Sequence, residues 1–246
     1  MKSNNNTILI TGGGSGIGQA LAHRLHDAGN HVIIAGRRFD ALARAAEGRS
    51  RTTPIQVDLD DAKSIEAFAH RLVIDHPRLN VLINNAGIMR FEALGGRRDL
   101  SDAEATVTTN LLGPIRLTNA LVDHLQTQPD ASIVNVTSGL AFVPLVVSPT
   151  YNASKAAIHS YTVSLREALK GKIDVIEVIP PQVKTGLTPG QEQREGVPLD
   201  DFADDVVMQL CSEPTRPEIM VQYSQYARRA EADGRFDEVF AMINGG

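Results

Sequence analysis

Short apolar runs recur along this chain with a longer, helix-periodic stretch after each, and that alternation limits the fold more than any other feature. The runs are TILI (7–10), HVIIA (31–35), PIQV (54–57), VLIN (81–84), SIVNV (132–136) and DVIEVI (174–179). The helical patterns cover 17–28, 40–47, 61–76, 102–126 and 151–169. Strands that are apolar throughout must be covered on both faces, and regular helical crossovers supply the cover, so the rhythm predicts an α/β fold with a doubly wound parallel sheet of about seven strands. A last strand is expected in EIMVQ (218–222), then a terminal helix over 226–243. No linker or composition shift divides the 246 residues, so residues 1–246 are read as one Rossmann-type domain.

Composition excludes several classes of function. At 42% hydrophobic and 22% charged residues the chain is ordinary globular protein, and a net charge of −5 offers no field for a phosphate backbone, so no nucleic-acid partner is expected. No apolar run approaches a membrane span or a signal-peptide core, and the single Cys211 fits a reducing cytoplasm. His23 and His26 lie off the apolar stripe of their helix and read as solvated, so no metal site is expected.

The first strand runs directly into TGGGSGIG (11–18), a glycine turn opening a helix. Backbone N–H groups and the helix dipole at such a turn suit a pyrophosphate. Gln19 stands where a Walker loop needs lysine, and Ile17 stands where the G-x-G-x-x-G pattern needs its last glycine, so neither of those motifs fits. Further along, YNASK places Tyr151 and Lys155 four residues apart, on one face of a helix. A cation beside a phenol lowers its pKa and turns it into an acid/base device.

With TGGGSGIG, NNAG (84–87), Asn110, Ser138 and YNASK in order, and thirteen positions from Ser138 to Tyr151, the chain resembles the short-chain dehydrogenase/reductase family. Its segments VTSGLAFVPL and EVIPPQVKTGL look most like the bacterial oxidoreductases called DltE-like. The resemblance implies an NADP(H)-dependent oxidoreductase moving a hydride between nicotinamide and a carbonyl or alcohol substrate. Tyr151 is then the general acid, Lys155 lowers its pKa and binds the nicotinamide ribose, Ser138 orients the carbonyl oxygen, and Asn110 holds a relay water. Thr11, Gly12, Gly14, Ser15, Gly16, Ile17 and Gly18 would receive the pyrophosphate, and Asn85, Ala86 and Gly87 would support the coenzyme. Pro180, Val183 and Thr185 would meet the nicotinamide, although Pro181 stands where many relatives have glycine and removes an N–H.

Asp58, with Leu59, is placed beside the adenine, although Asp58, Asp60 and Asp61 serve equally well as caps for the next helix. At the end of the second strand Gly36 occupies the place of an acid that would bind the ribose hydroxyls of NAD, and Arg37 and Arg38 follow. That pattern favours NADP(H), with Arg37 weighed more heavily than Arg38. The apolar segment GLAFVPLVV with Met89 and Phe91 suggests a small or medium aldehyde or ketone, and GLTPGQEQREGVP (186–198) has the composition of a lid. The family's helix packing implies a homodimer or homotetramer. The competing reading is a non-catalytic, coenzyme-binding regulatory protein of the same fold.

Overall fold

The computed structural model describes residues 1–221 and 223–245. Its centre is a seven-stranded sheet in the order β3-β2-β1-β4-β5-β6-β7, with every neighbouring pair parallel. The strands are β1 (Thr7–Thr11), β2 (His31–Gly36), β3 (Thr52–Gln56), β4 (Leu79–Asn84), β5 (Ser132–Val136), β6 (Asp174–Ile179) and β7 (Glu218–Met220). The main crossover helices are α1 (Gly16–Asp27), α2 (Phe39–Ala46), α3 (Ala62–Asp75), α4 (Ser101–Val107), α5 (Gly113–Gln126), α6 (Pro149–Ala168) and α7 (Leu199–Leu210). β3 holds Pro54, which an edge strand tolerates because one side of its backbone has no ladder to donate to. The last strand is shorter than expected, and Gln222 lies outside the described residues.

Alternation along each strand divides the core between the two faces of the sheet. Ile8, Ile10, Leu21, Leu25, Phe202 and Val206 pack on the α1/α7 side, and Leu9, Ile33, Phe68, Leu82, Leu117 and Leu121 on the α3/α5 side. Both faces are therefore dry, which is why the strands read as continuous apolar runs. Chain order reverses between β1 and β4, and that switch point opens a crevice at the carboxyl ends of the strands.

Three expectations are corrected here. The segment expected as one helix over 102–126 is α4 and α5 joined by a π-helical turn, Thr108–Leu112, with Asn110 at its centre. The terminal helix expected at 226–243 is two helices, α8 (Ser224–Arg229) and α9 (Phe236–Asn244). Gly234, at φ 67°, turns the chain between them, as a left-handed residue does at a helix end. His23 is half-buried rather than solvated, and its ring meets the Ala45 carbonyl at 2.9 Å, while His26 pairs with Asp27 at 2.7 Å.

Candidate active site

A cleft of about 1740 Å³ runs along the switch point, from Gly14 and Arg38 at one end, past Tyr151 and Lys155, to Tyr226 and Met242 at the other. At the first end the chain leaves β1 and turns through Gly12 (φ 69°) and Gly16 (φ 54°), conformations that side chains rarely adopt. A Cβ at Gly18 would lie 2.4 Å from the Gly12 carbonyl oxygen, so α1 packs this close to the turn only because residue 18 is glycine. Ser15 precedes α1 in extended conformation with no side-chain capping bond. The first N–H groups of α1 therefore face the cleft, where Gly14, Ser15, Gly16 and Ile17 line it, and this cradle fits a pyrophosphate.

Thr11 and Gly18 act from behind the cleft wall. The buried Thr11 hydroxyl accepts the N–H groups of Asn85 and Ala86, each at 3.0 Å, and the Asn85 amide donates to the Thr11 carbonyl at 2.9 Å. These bonds lock the β1 turn to the loop after β4, so that Asn85, Ala86 and Gly87 face the cleft. Asn84 turns away from it and donates to Thr118 and Asn135, tying β4 to α5 and β5.

The adenosine end differs from the sequence reading in two respects. Leu59 and Asp60 line the cleft, whereas Asp58 is exposed and its carboxylate accepts the N–H of Asp60 at 3.0 Å in a local turn. Asp60 was not singled out for the cleft, yet it pairs with Arg37 at 3.1 Å and accepts the Thr109 hydroxyl at 2.6 Å. Arg38 is exposed on the cleft wall, and among the described residues its guanidinium has no hydrogen bond or ion pair, so it is the freer of the two cations. Gly36 has open space, since a Cβ there would meet only Leu42, at 3.9 Å.

Ser138, Tyr151 and Lys155 meet midway along the cleft from the end of β5 and from α6, with Asn110 of the π-turn buried behind Gly87 and Ile88. Ser138 ends β5's extension and caps a short turn, its hydroxyl accepting the Leu140 N–H at 3.1 Å. Tyr151 and Ser138 line the cleft together. Lys155 donates to the Val136 carbonyl at 2.8 Å, and its Nζ lies 5.6 Å from the centre of the Tyr151 ring. Asn110 is clamped by Ile88, accepting its N–H at 2.8 Å and donating to its carbonyl at 2.9 Å. A Cβ at Gly87 would press on Asn110 Oδ1 at 3.3 Å and Lys155 Nζ at 3.7 Å, so glycine keeps this corner open. The π-turn places the buried Asn110 against that corner by widening the helix at one point.

Burial pushes the Tyr151 phenol up to about 12, with the Ser138 hydroxyl opposing it, and pushes the Lys155 ammonium down to about 8. Desolvation thus dominates the phenol in the protein alone. At neutral pH the pair stands as a phenol ready to donate and an ammonium ready to bind a hydroxyl.

Past Tyr151 the walls mix apolar side chains with charged ones such as Arg90, Glu192 and Arg194. Met89, Leu140 and Leu145 belong to the expected set, whereas Phe91 is exposed outside the cleft, under the Arg194 guanidinium at 5.8 Å. The far wall comes from Tyr223, Tyr226, Met242 and Ile243 of the terminal helices, which nothing in the sequence pattern had tied to the site. Pro180, Val183 and Thr185 line the cleft below the 186–198 loop, and Pro180 turns its carbonyl to the Gly139 N–H at 2.9 Å. That loop is stapled to them where Val197 and Val183 bridge and the Gln191 amide donates to the Val183 carbonyl. His159, Glu177 and Glu218 lie close together behind Ser138, but their polar atoms are engaged with one another, Thr137 and Arg228.

Comparison with known proteins agrees with this architecture. The family described as short chain dehydrogenase matches residues 6–196. The chain is 41% identical to an uncharacterized oxidoreductase, DltE, of Bacillus subtilis, over 99% of its own length and 100% of that protein's. A Burkholderia cenocepacia short chain dehydrogenase in complex with NADP shares the fold, with a TM-score of 0.85 at 24% identity over 99% of both chains. One from Burkholderia phymatum in complex with NAD has the same score at 20% identity over 96% of both. A glycine cradle at the β1–α1 turn and a Ser–Tyr–Lys cluster on the same cleft accompany these matches, and the chain belongs to the short-chain dehydrogenase/reductase family of oxidoreductases.

Proposed function

We propose that the protein is an NADP(H)-dependent carbonyl reductase or alcohol dehydrogenase acting on a small or medium, mainly apolar aldehyde or ketone. The observation that carries this reading is the meeting of Ser138, Tyr151 and Lys155 on one cleft that also holds the glycine cradle, with Asn110 buried just behind Gly87. When bound, the nicotinamide supplies or accepts the hydride. The Ser138 hydroxyl and the Tyr151 phenol orient the carbonyl oxygen. Tyr151 gives its proton to the alkoxide as charge develops there, and takes it back in the oxidative direction. Lys155 holds the nicotinamide ribose, and the Asn110 corner holds a water through which Tyr151 is reprotonated. Apolar walls from Met89, Leu140 and Leu145 exclude bulk water from the oxygen and match the apolar part of a substrate.

The preference for NADP(H) rests on the lack of an acid at Gly36 and on the free Arg38 guanidinium. No helix among the described residues is long and apolar enough to cross a membrane, and a cytoplasmic enzyme accords with the single cysteine. Exposed Leu100 just before α4, Val107 at its end and Val163 on α6 support a homodimer or homotetramer. Intact chemistry at the four positions gives the non-catalytic alternative no support. A panel of aldehydes and ketones assayed for oxidation of NADPH tests the proposal: carbonyl-dependent turnover is expected, and tight NADPH binding without turnover on any of them would replace the enzyme with a binding protein.

A further inference from the structure

The catalytic helix α6 begins without its own cap. Ser148, at the N-cap, makes no side-chain capping bond, and Pro149 has no N–H, so the N–H of Thr150 is the first donor needing a partner. It finds one outside the helix. Glu92, in the loop between β4 and α4, accepts that N–H at 3.1 Å through one carboxylate oxygen and the Thr150 hydroxyl at 2.9 Å through the other. Arg98 closes the arrangement, donating to the same carboxylate at 3.0 Å, and the Glu92 N–H donates to the Val147 carbonyl at 2.9 Å. The Glu92 side chain is 4% exposed. Burial alone would push its carboxyl up, but the bonds from Thr150 and Arg98 more than offset that and hold it below the ordinary range. A buried anion is thereby kept at the positive end of the helix dipole, one residue before Tyr151.

We propose that Glu92 is a positioning residue for Tyr151: by clamping the first turn of α6 from the β4–α4 loop, it fixes the phenol against Ser138 where the substrate oxygen must sit. The same loop carries Met89 and Arg90 on the cleft wall and Phe91 under Arg194 of the 186–198 loop, so the substrate wall and the acid share one anchor. Glu92 does not line the cleft and touches neither coenzyme nor substrate. The inference rests on the reading of Tyr151 as the general acid.

The test uses the full chain with Glu92→Ala, Glu92→Gln, and Glu92→Ala combined with Tyr151→Phe. Because a misplacement of about 1 Å costs on the order of 100-fold, Glu92→Ala should lower kcat by about 10- to 100-fold. NADPH affinity, read by nucleotide fluorescence, should stay within about twofold. Glu92→Gln, which can still accept from Thr150, should recover most of the loss. In the Tyr151→Phe background Glu92→Ala should cost clearly less than in the wild type, since its main effect passes through that phenol. Wild-type kcat in Glu92→Ala, or an equal further loss in the Tyr151→Phe background, overturns the proposal. If Tyr151→Phe itself retains full turnover, the reading of the general acid fails instead. Should the wild type turn over no carbonyl at all, amide hydrogen exchange still decides the clamp: faster exchange at 150–154 in Glu92→Ala supports it, and unchanged exchange there sinks it.

Discussion

Installing an acid at Gly36 while removing Arg38 should reverse the coenzyme preference, and the structure sets the size of the effect. Gly36→Asp is sterically free, because the new Cβ meets only Leu42 at 3.9 Å and the backbone is outside the left-handed region. Arg38 is the cation to remove, since Arg37 is already held by Asp60 at 3.1 Å. A charge-assisted bond from an arginine to a 2'-phosphate contributes about 1.5–3 kcal/mol, and solvent exposure brings this toward about 1–2 kcal/mol. A carboxylate about 5 Å from that phosphate opposes it by about 1–2 kcal/mol at an effective dielectric of about 40–60. With NADH the same carboxylate accepts ribose hydroxyls, for about 1 kcal/mol. These contributions sum to about 3–5 kcal/mol, so the ratio of NADH to NADPH dissociation constants should swing by about two to three and a half orders of magnitude. Fluorescence titration of both nucleotides against wild type and the Gly36→Asp/Arg38→Ala variant reads this directly, with thermal unfolding as the control for folding. A wild type that binds NADH as tightly as NADPH, or a folded double variant that keeps the original ratio, refutes the reasoning.

Lys155, pushed down to about 8, is charged below that pH and neutral above it, so NADPH affinity should weaken as pH rises through about 8. Lys155→Ala should bind NADPH weakly at every pH and lose that dependence, which titrations from pH 6 to about 9.5 would establish. Gly18→Ala forces a methyl to 2.4 Å from the Gly12 carbonyl oxygen, so it should destabilise the fold by about 1–3 kcal/mol, measured by denaturant unfolding, and disrupt the cradle. Its NADPH affinity should fall by a larger factor than its stability change alone accounts for; a stable variant with normal affinity would remove the packing argument.

The parallel sheet was legible because strands covered on both faces must be apolar throughout, and Ile8, Leu9 and Ile10 alternate between two buried cores as that argument requires. Tyr151 and Lys155 were legible because four-residue spacing on a helix fixes a shared face. The π-turn around Asn110 was not, since one widened turn leaves the apolar periodicity of 102–126 nearly intact. The break between α8 and α9 was marked by Gly234, which a periodicity argument passed over. Asp58 was chosen over Asp60 because both follow the third strand and only the folded turn decides which carboxylate faces the cleft. Glu92 carries no local signal at all: its partner Thr150 is 58 residues away, joined only by the fold.

The most direct test of the account traces the transferred hydride and the acid together. Purified protein is given NADPH carrying deuterium at both C4 positions of the nicotinamide and an apolar aldehyde or ketone, and the alcohol formed is examined by mass spectrometry for wild type and Tyr151→Phe. The account predicts one deuterium on the carbinol carbon for each coenzyme oxidised by the wild type. It predicts a rate about 100-fold or more lower in Tyr151→Phe, with NADPH affinity nearly unchanged, because one hydroxyl and its proton are all that is removed. Unlabelled alcohol from the wild type, or full turnover by the folded Tyr151→Phe variant, would contradict it.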